Sequence, residues 1–135
     1  LKNSIVKDFM IIIQKSPTIK SNQILKEAID QMDKYKLGIV SVIDNNNKLA
    51  GVITDGDLRR TLLRTQKPLA ALLVDDVVKH IIKNPLTILE TDLLIDSINL
   101  MNQRKIWDLP VLNKKNDLVG LLHLHTAIEN YLNLQ

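Results

Sequence analysis

The chain carries its own sequence twice, and that repeat limits its possible folds more than any other feature. Displaced by 69 positions, Thr18-Ile19 falls on Thr87-Ile88, Leu25 on Leu94, Ile29 on Ile98, Met32 on Met101, Val42 on Val111, Leu49 on Leu118 and Gly51 on Gly120. The coincidences lie at apolar and turn positions, where a shared fold constrains the side chain, so two copies of one supersecondary unit are expected. Residues 4–10 also resemble 73–78, with Val6-Lys7-Asp8 against Val74-Asp75-Asp76. The displacement there is 68, which implies one loop differing by a residue. The copies divide the chain into 1–68 and 69–135.

Each copy has the same hydrophobic rhythm. Ile24, Leu25, Ala28, Ile29 and Met32 share one face at the 3.6-residue period, after cap candidates Ser21 and Asn22. Leu93, Leu94, Ser97, Ile98 and Met101 repeat the face after cap candidate Thr91. Apolar runs at 39–43 and 109–112 follow, then the polar turns 44–48 and 113–117, then apolar runs at 49–53 and 118–122. These predict two hairpins whose Asn- and Asp-rich turns tolerate left-handed backbone. A closing helix is expected over about 55–64 and about 125–133. The unit is short strand, helix, strand, strand, helix. A unit of about 60 residues buries too little surface to be comfortable alone, so two should pack together. Residues 64–71 read as the connector, with Pro68 interrupting any continuous helix. The fold class is α+β (α/β): two pseudo-symmetric repeats, each a short sheet with helices packed on it.

Composition excludes several function classes. The chain has no cysteine, hence no disulfide, thiol nucleophile or zinc-thiolate site. Its aromatics are Phe9, Tyr35, Trp107 and Tyr131, too few for a sheet that stacks RNA bases. The net charge of +3 comes from scattered lysines rather than a basic stripe, which argues against nucleic acid. No apolar run approaches a membrane span and no signal segment opens the chain, so no membrane is expected and the location is read as cytoplasmic. The start at Leu1 rather than Met suggests a piece of a longer protein.

Chemistry concentrates at Thr54-Asp55-Gly56-Asp57-Leu58-Arg59-Arg60. A strand ending where a helix begins leaves backbone amides and the positive end of the helix dipole facing outward, an anion site. Thr54 can donate to a phosphate, Gly56 allows close backbone approach, and the Asp57 carboxylate can accept both hydroxyls of a vicinal diol. Phosphate plus diol describes a nucleotide, whose base Ile39, Val40 and Ile53 would border. The competing reading makes Asp55 the helix cap and Asp57 a carboxylate favoured by the dipole, with no ligand. Arg59 and Arg60 point about 100° apart, so only one reaches the same anion; Arg59 is counted with the site.

In the second copy His123 and Thr126 replace Thr54 and Asp57, so the diol-gripping carboxylate is missing and one competent cleft, or two unequal ones, is expected. His123 and His125, two apart at a strand end, should share a side. They can contact ligand, serve structure, or join a metal site for which no further ligand is identifiable; no metal is assigned. His80 reads as isolated on the surface. Trp107 reads as a core plug, with a wall of the ligand cleft as the alternative. Four scattered glycines exclude a phosphate-binding glycine loop, and no nucleophile motif is present, so no catalytic residue is assigned.

The run 51–60, preceded by 37–44, resembles the first repeat of a CBS-domain pair, the regulatory module named after cystathionine β-synthase. Thr-Asp-Gly-Asp-Leu-Arg-Arg, with 100–106 and Gly120-Leu121-Leu122-His123-Leu124-His125, resembles the C-terminal CBS pair of bacterial D-arabinose-5-phosphate isomerases. The resemblance implies that Thr54 and Asp57 hold phosphate and ribose between repeats. It also implies a regulatory nucleotide or nucleotide-sugar module in Kdo and lipopolysaccharide biosynthesis, and a homodimer of modules. No cofactor is required; candidate ligands are an adenine nucleotide or CMP-Kdo. The isomerase chemistry would lie in a separate domain, so this chain is not expected to be an enzyme. The alternatives are a ligand-free oligomerisation element, or a CBS pair attached to a sugar nucleotidyltransferase.

Overall fold

A computed structural model of the chain describes residues 3–134. In chain order its strands and helices are β1 (Ile11–Ile12), β2 (Thr18–Lys20), α1 (Leu25–Tyr35), β3 (Ile39–Ile43), β4 (Leu49–Thr54), α2 (Asp55–Arg64), α3 (Leu69–Leu73), β5 (Ile88–Leu89), α4 (Leu94–Arg104), β6 (Asp108–Leu112), β7 (Leu118–His123) and α5 (Leu124–Asn133). Single 3-10 turns occupy Val6–Asp8, Ile13–Lys15 and Val77–Lys79. The mixed α/β architecture and the paired helix-hairpin-helix units match the sequence pattern. Among the described residues no helix is long and apolar enough to cross a membrane.

The chain forms two compact units: residues 17–85, and residues 3–16 together with 86–134. In the first, β2 runs parallel to β3 and β3 antiparallel to β4, over a core that includes Ile19, Leu25, Met32, Val40, Ile53 and Val77. In the second, the strand order is β1-β7-β6-β5, over a separate core that includes Val6, Phe9, Leu94, Met101, Leu109 and Leu122. These compact units cut across the sequence copies, because each completes the body of one copy with the leading segment of the other. Val77 N–H donates to Gln23 O and Leu25 N–H to Asp75 O, while Val6 N–H donates to Asp92 O and Leu94 N–H to Ser4 O.

Those bonds revise two sequence expectations. The leading segments correspond at a displacement of 71, Val6 to Val77, and not at 68. Both valines are fully buried, whereas Val74 is 62% exposed. Burial therefore selects the register, and the loop differs by two residues. Nor do Ser21, Asn22 or Thr91 cap the first helices: the cap positions are Ile24 and Leu93, and a leading-segment carbonyl takes each helix's first N–H. The leading segment then reaches the sheet. Ile82 bridges Val52 and Ile11 pairs with Leu121. Gly51 and Gly120 make room for it, since a Cβ on either would come within 2.5 Å of the carbonyl oxygen of Ile82 or Ile11.

The hairpins follow the sequence. Asp44 Oδ1 accepts from Asn46 and Lys48 N–H, and Asn113 Oδ1 from Lys115 and Asp117 N–H, with Asn47 and Asn116 at φ 61° and 65°. The presumed connector is partly helical, for α3 begins at Leu69 directly after Pro68.

Candidate functional site

The β4–α2 junction is organised by one threonine and one aspartate. Thr54, not Asp55, is the helix cap: its Oγ1 accepts the Asp57 N–H at 3.2 Å and its hydroxyl donates to Asp57 Oδ2 at 2.6 Å. Arg60, one turn on, donates to Asp57 Oδ1 at 2.6 Å. Both carboxylate oxygens are thus engaged. Burial pushes the Asp57 carboxyl up, but the hydrogen bonds from Thr54 and Arg60 outweigh it and hold the group below the ordinary carboxylate value. Gly56 lies beneath the guanidinium, where an added Cβ would come 3.2 Å from an Arg60 nitrogen. Asp55 is exposed; its N–H donates to Gly38 O and its carboxylate abuts Gly38. The arginine brought to Asp57 is Arg60, and Arg59 points to solvent. Ile39, Val40 and Ile53 are 3%, 0% and 0% exposed.

Beside this junction lies an open cavity of about 490 Å³. Asp57, Arg60, Thr61, Arg64 and Thr65 line one side and Lys79, His80, Ile81 and Ile82 the other. Its cations outnumber its single carboxylate, itself already paired with Arg60. His80 is not the isolated surface residue expected: its Nε2 stands 3.0 Å from Asp75 Oδ2, and Lys67 Nζ bonds the other oxygen of Asp75. Those hydrogen bonds, Lys67 first and then His80, hold the Asp75 carboxyl below its ordinary value.

The second copy is built differently at the same register. β6 pairs Asp108 with His123 where β3 pairs Ile39 with Thr54. His123 Nδ1 lies 2.7 Å from Asp108 Oδ1, and both side chains are mostly buried. The strand ends at His123 and α5 starts at Leu124, so strand alternation does not carry to His125, which is exposed on the helix. Among the described residues no group of three or more His, Asp or Glu side chains is placed to hold a metal. Trp107 is no core plug, being 67% exposed. Asp75, Lys79 and Asp108 escaped the sequence reading, which also counted Arg59 where Arg60 makes the contact and left His80 on the surface; the 69-residue displacement, applied to Ile39, would have pointed to Asp108.

A second, apolar cavity of about 560 Å³ lies among α1, α2 and α3, lined chiefly by Leu25, Ile29, Met32, Leu58, Leu62 and Leu69. Leu62 and Leu69 are more than half exposed.

The sequence profile of the CBS domain matches the chain twice, over residues 6–64 and 74–133. An uncharacterized protein of Helicobacter pylori is 32% identical over 115 residues, 84% of this chain and 33% of that protein. Arabinose 5-phosphate isomerase KdsD of Pseudomonas aeruginosa is 32% identical over 123 residues, 91% of this chain and 36% of the isomerase. The chain therefore spans about a third of the length of the curated relatives it matches. Among solved structures, CBSX2 of Arabidopsis thaliana in complex with AMP is similar at TM-score 0.83 and 26% identity, over 97% of this chain and 98% of that one.

Proposed function

We propose, from the premise that this chain belongs to the CBS domain family, that it is a regulatory module binding a nucleotide or nucleotide-sugar through the Thr54–Asp57 junction. The observation that carries the reading is the Asp57 carboxylate, deprotonated, part-buried and held by Thr54 at a helix start. The similarity to CBSX2, solved with AMP, supports an adenine nucleotide as ligand.

The chemistry follows from the hydrogen bonds. A ribose diol offers two hydroxyl donors to a carboxylate acceptor, and taking Oδ1 releases Arg60 for an anion. Thr54, whose hydroxyl proton already goes to Asp57, acts as a positioning residue. Gly56, Asp55, Ile39 and Val40 complete the proposed ligand set of this unit, with Arg60 in the place of Arg59, while His123 and His125 are proposed as ligand contacts of the second copy's own helix start. A ligand that prefers one arrangement of the module biases whatever enzyme is attached.

The parent we infer is a cytoplasmic D-arabinose-5-phosphate isomerase of Kdo and lipopolysaccharide biosynthesis, supported by the relatives of that name. CMP-Kdo is then the candidate feedback ligand. Calorimetric titration with AMP, ADP, ATP, CMP and CMP-Kdo tests the reading. Micromolar binding of one of them, lost in a folded Asp57→Ala variant, is expected; no heat from the panel overturns it.

A second reading, an assembly element acting as a homodimer, is favoured by the apolar cavity among α1, α2 and α3 with Leu62 and Leu69 exposed at its mouth. Sedimentation should then show a dimer that Leu62→Asp dissociates, and a monomeric wild type would remove this reading.

A further inference from the structure

The two units share one backbone plan but differ in charge at corresponding places, two basic residues being replaced by acidic ones and two further polar groups by uncharged ones. With the bodies displaced by 69 and the leading segments by 71, Arg60, Arg64, Lys79 and His80 correspond to Glu129, Asn133, Asp8 and Phe9. The correspondence is structural as well as numerical. The turns Val77–Lys79 and Val6–Asp8 are both 3-10, each is followed by the segment that meets the sheet, and α2 and α5 are both ten residues long. In the unit of residues 17–85 these side chains line an open cavity. In the other unit, Phe9 occupies the place of His80, is 5% exposed and packs on the Tyr131 ring at 5.9 Å between centroids. One place is open and lined by basic side chains; its counterpart holds a buried ring, with Asp8 and Glu129 at the positions that correspond to Lys79 and Arg60.

Arg60 and Arg64 lie one turn apart on α2, on the same face, and Lys79 and His80 approach from the leading segment. The His80 ring is fixed by Asp75, which Lys67 holds in turn. Thr61 and Thr65 add hydroxyls to the same wall. Converging cations with hydroxyl donors suit a phosphate, whose oxygens accept several charge-assisted hydrogen bonds at once.

We propose that Arg64, Lys79 and His80, in the cavity beside Asp57, form a phosphate subsite present in one unit and absent from its counterpart, so that the chain takes a phosphorylated ligand through one of its two compact units. The subsite deepens the nucleotide reading and rests on it for the diol end alone. The phosphate can come from a nucleotide or from a free phosphate compound, and the experiment separates the two.

Sodium pyrophosphate is titrated into the 135-residue chain while backbone amide resonances are followed by NMR. Shifts are expected at Arg64, Lys79 and His80 and not at Asp8, Phe9 and Glu129, with Arg64→Ala and Lys79→Ala each weakening binding about tenfold. AMP is then compared with adenosine: wild type should bind AMP more tightly, and both variants should lose that preference. Pyrophosphate shifts that spare Arg64, Lys79 and His80, or that appear equally at the two places, overturn the subsite. Pyrophosphate binding at those three residues, with AMP no tighter than pyrophosphate and Asp57→Ala without effect, upholds the subsite and defeats the nucleotide reading.

Discussion

Asp108 Oδ1 stands 2.7 Å from His123 Nδ1 across the β6–β7 hairpin, at the register point where the β3–β4 hairpin sets Ile39 against Thr54. Repeat symmetry in the backbone therefore coexists with different chemistry at the corresponding helix starts. In one copy a hydroxyl orients a carboxylate on the following helix. In the other, the imidazole turns to a carboxylate on the neighbouring strand, and Thr126 stands where Asp57 would be.

If that strand pair stabilises the second hairpin, Asp108→Ala and His123→Ala should be non-additive. A double-mutant cycle by urea denaturation near neutral pH is expected to give a coupling of about 0.5–1.5 kcal/mol. A coupling of zero would mean the two side chains meet without stabilising one another.

The 71-residue correspondence of the leading segments predicts which valines matter. Val6→Ala and Val77→Ala each open a space in a separate core and should cost about 1–3 kcal/mol, whereas the exposed Val74→Ala should stay within about 0.5 kcal/mol. Thermal and denaturant unfolding of the three variants decides it, and equal effects at Val74 and Val77 would contradict this register.

Gly51 and Gly120 are required by close approach, not by backbone angle, since no glycine has a positive φ. A methyl group on either meets a backbone carbonyl oxygen that cannot swing aside as a side chain could. Gly51→Ala and Gly120→Ala should each destabilise by about 1–3 kcal/mol and raise amide exchange at Ile82 or Ile11 respectively. Wild-type stability and exchange in both would refute the close packing.

The acid side of the stability profile has a defined sign. The Asp57 carboxyl titrates below its unfolded value, so the native state binds fewer protons there, and its stabilisation is present above the unfolded value and lost as pH falls through the folded one. Asp57→Asn should cost a few tenths of a kcal/mol at pH 7, the scale of a partly exposed pair, and that deficit should shrink as pH drops below about 4. Asp75, lowered by Lys67 and His80, keeps the same sign in the variant. A deficit that grows on acidification would reverse the assignment.

The repeat, both hairpins, their Asn turns and the helix faces around Met32 and Met101 were legible because each depends on local periodicity and turn chemistry. Thr54 and Asp57 were legible as a pair for the same reason, being three residues apart at a strand-to-helix junction. Most of what sequence reading missed depends on contacts distant along the chain, and the rest on how a turn or helix aims neighbouring side chains. Leu25 N–H is satisfied by Asp75 and Leu94 N–H by Ser4, so the local candidates Ser21, Asn22 and Thr91 lost the capping role to segments that no local pattern associates with these helices. The sequence aligned Val6 with Val74, and only burial, which depends on the assembled core, pairs it with Val77 instead. His80 looked isolated because its partner, Asp75, is brought close only by the turn at Val77–Lys79.

The most direct measurement is a crystal structure of the chain grown with AMP. A ribose whose hydroxyls hydrogen-bond the Asp57 carboxylate, with the Arg60 guanidinium moved off Oδ1, is the predicted result. AMP bound away from Asp57, or the Asp57–Arg60 contact intact beside bound AMP, would contradict the account.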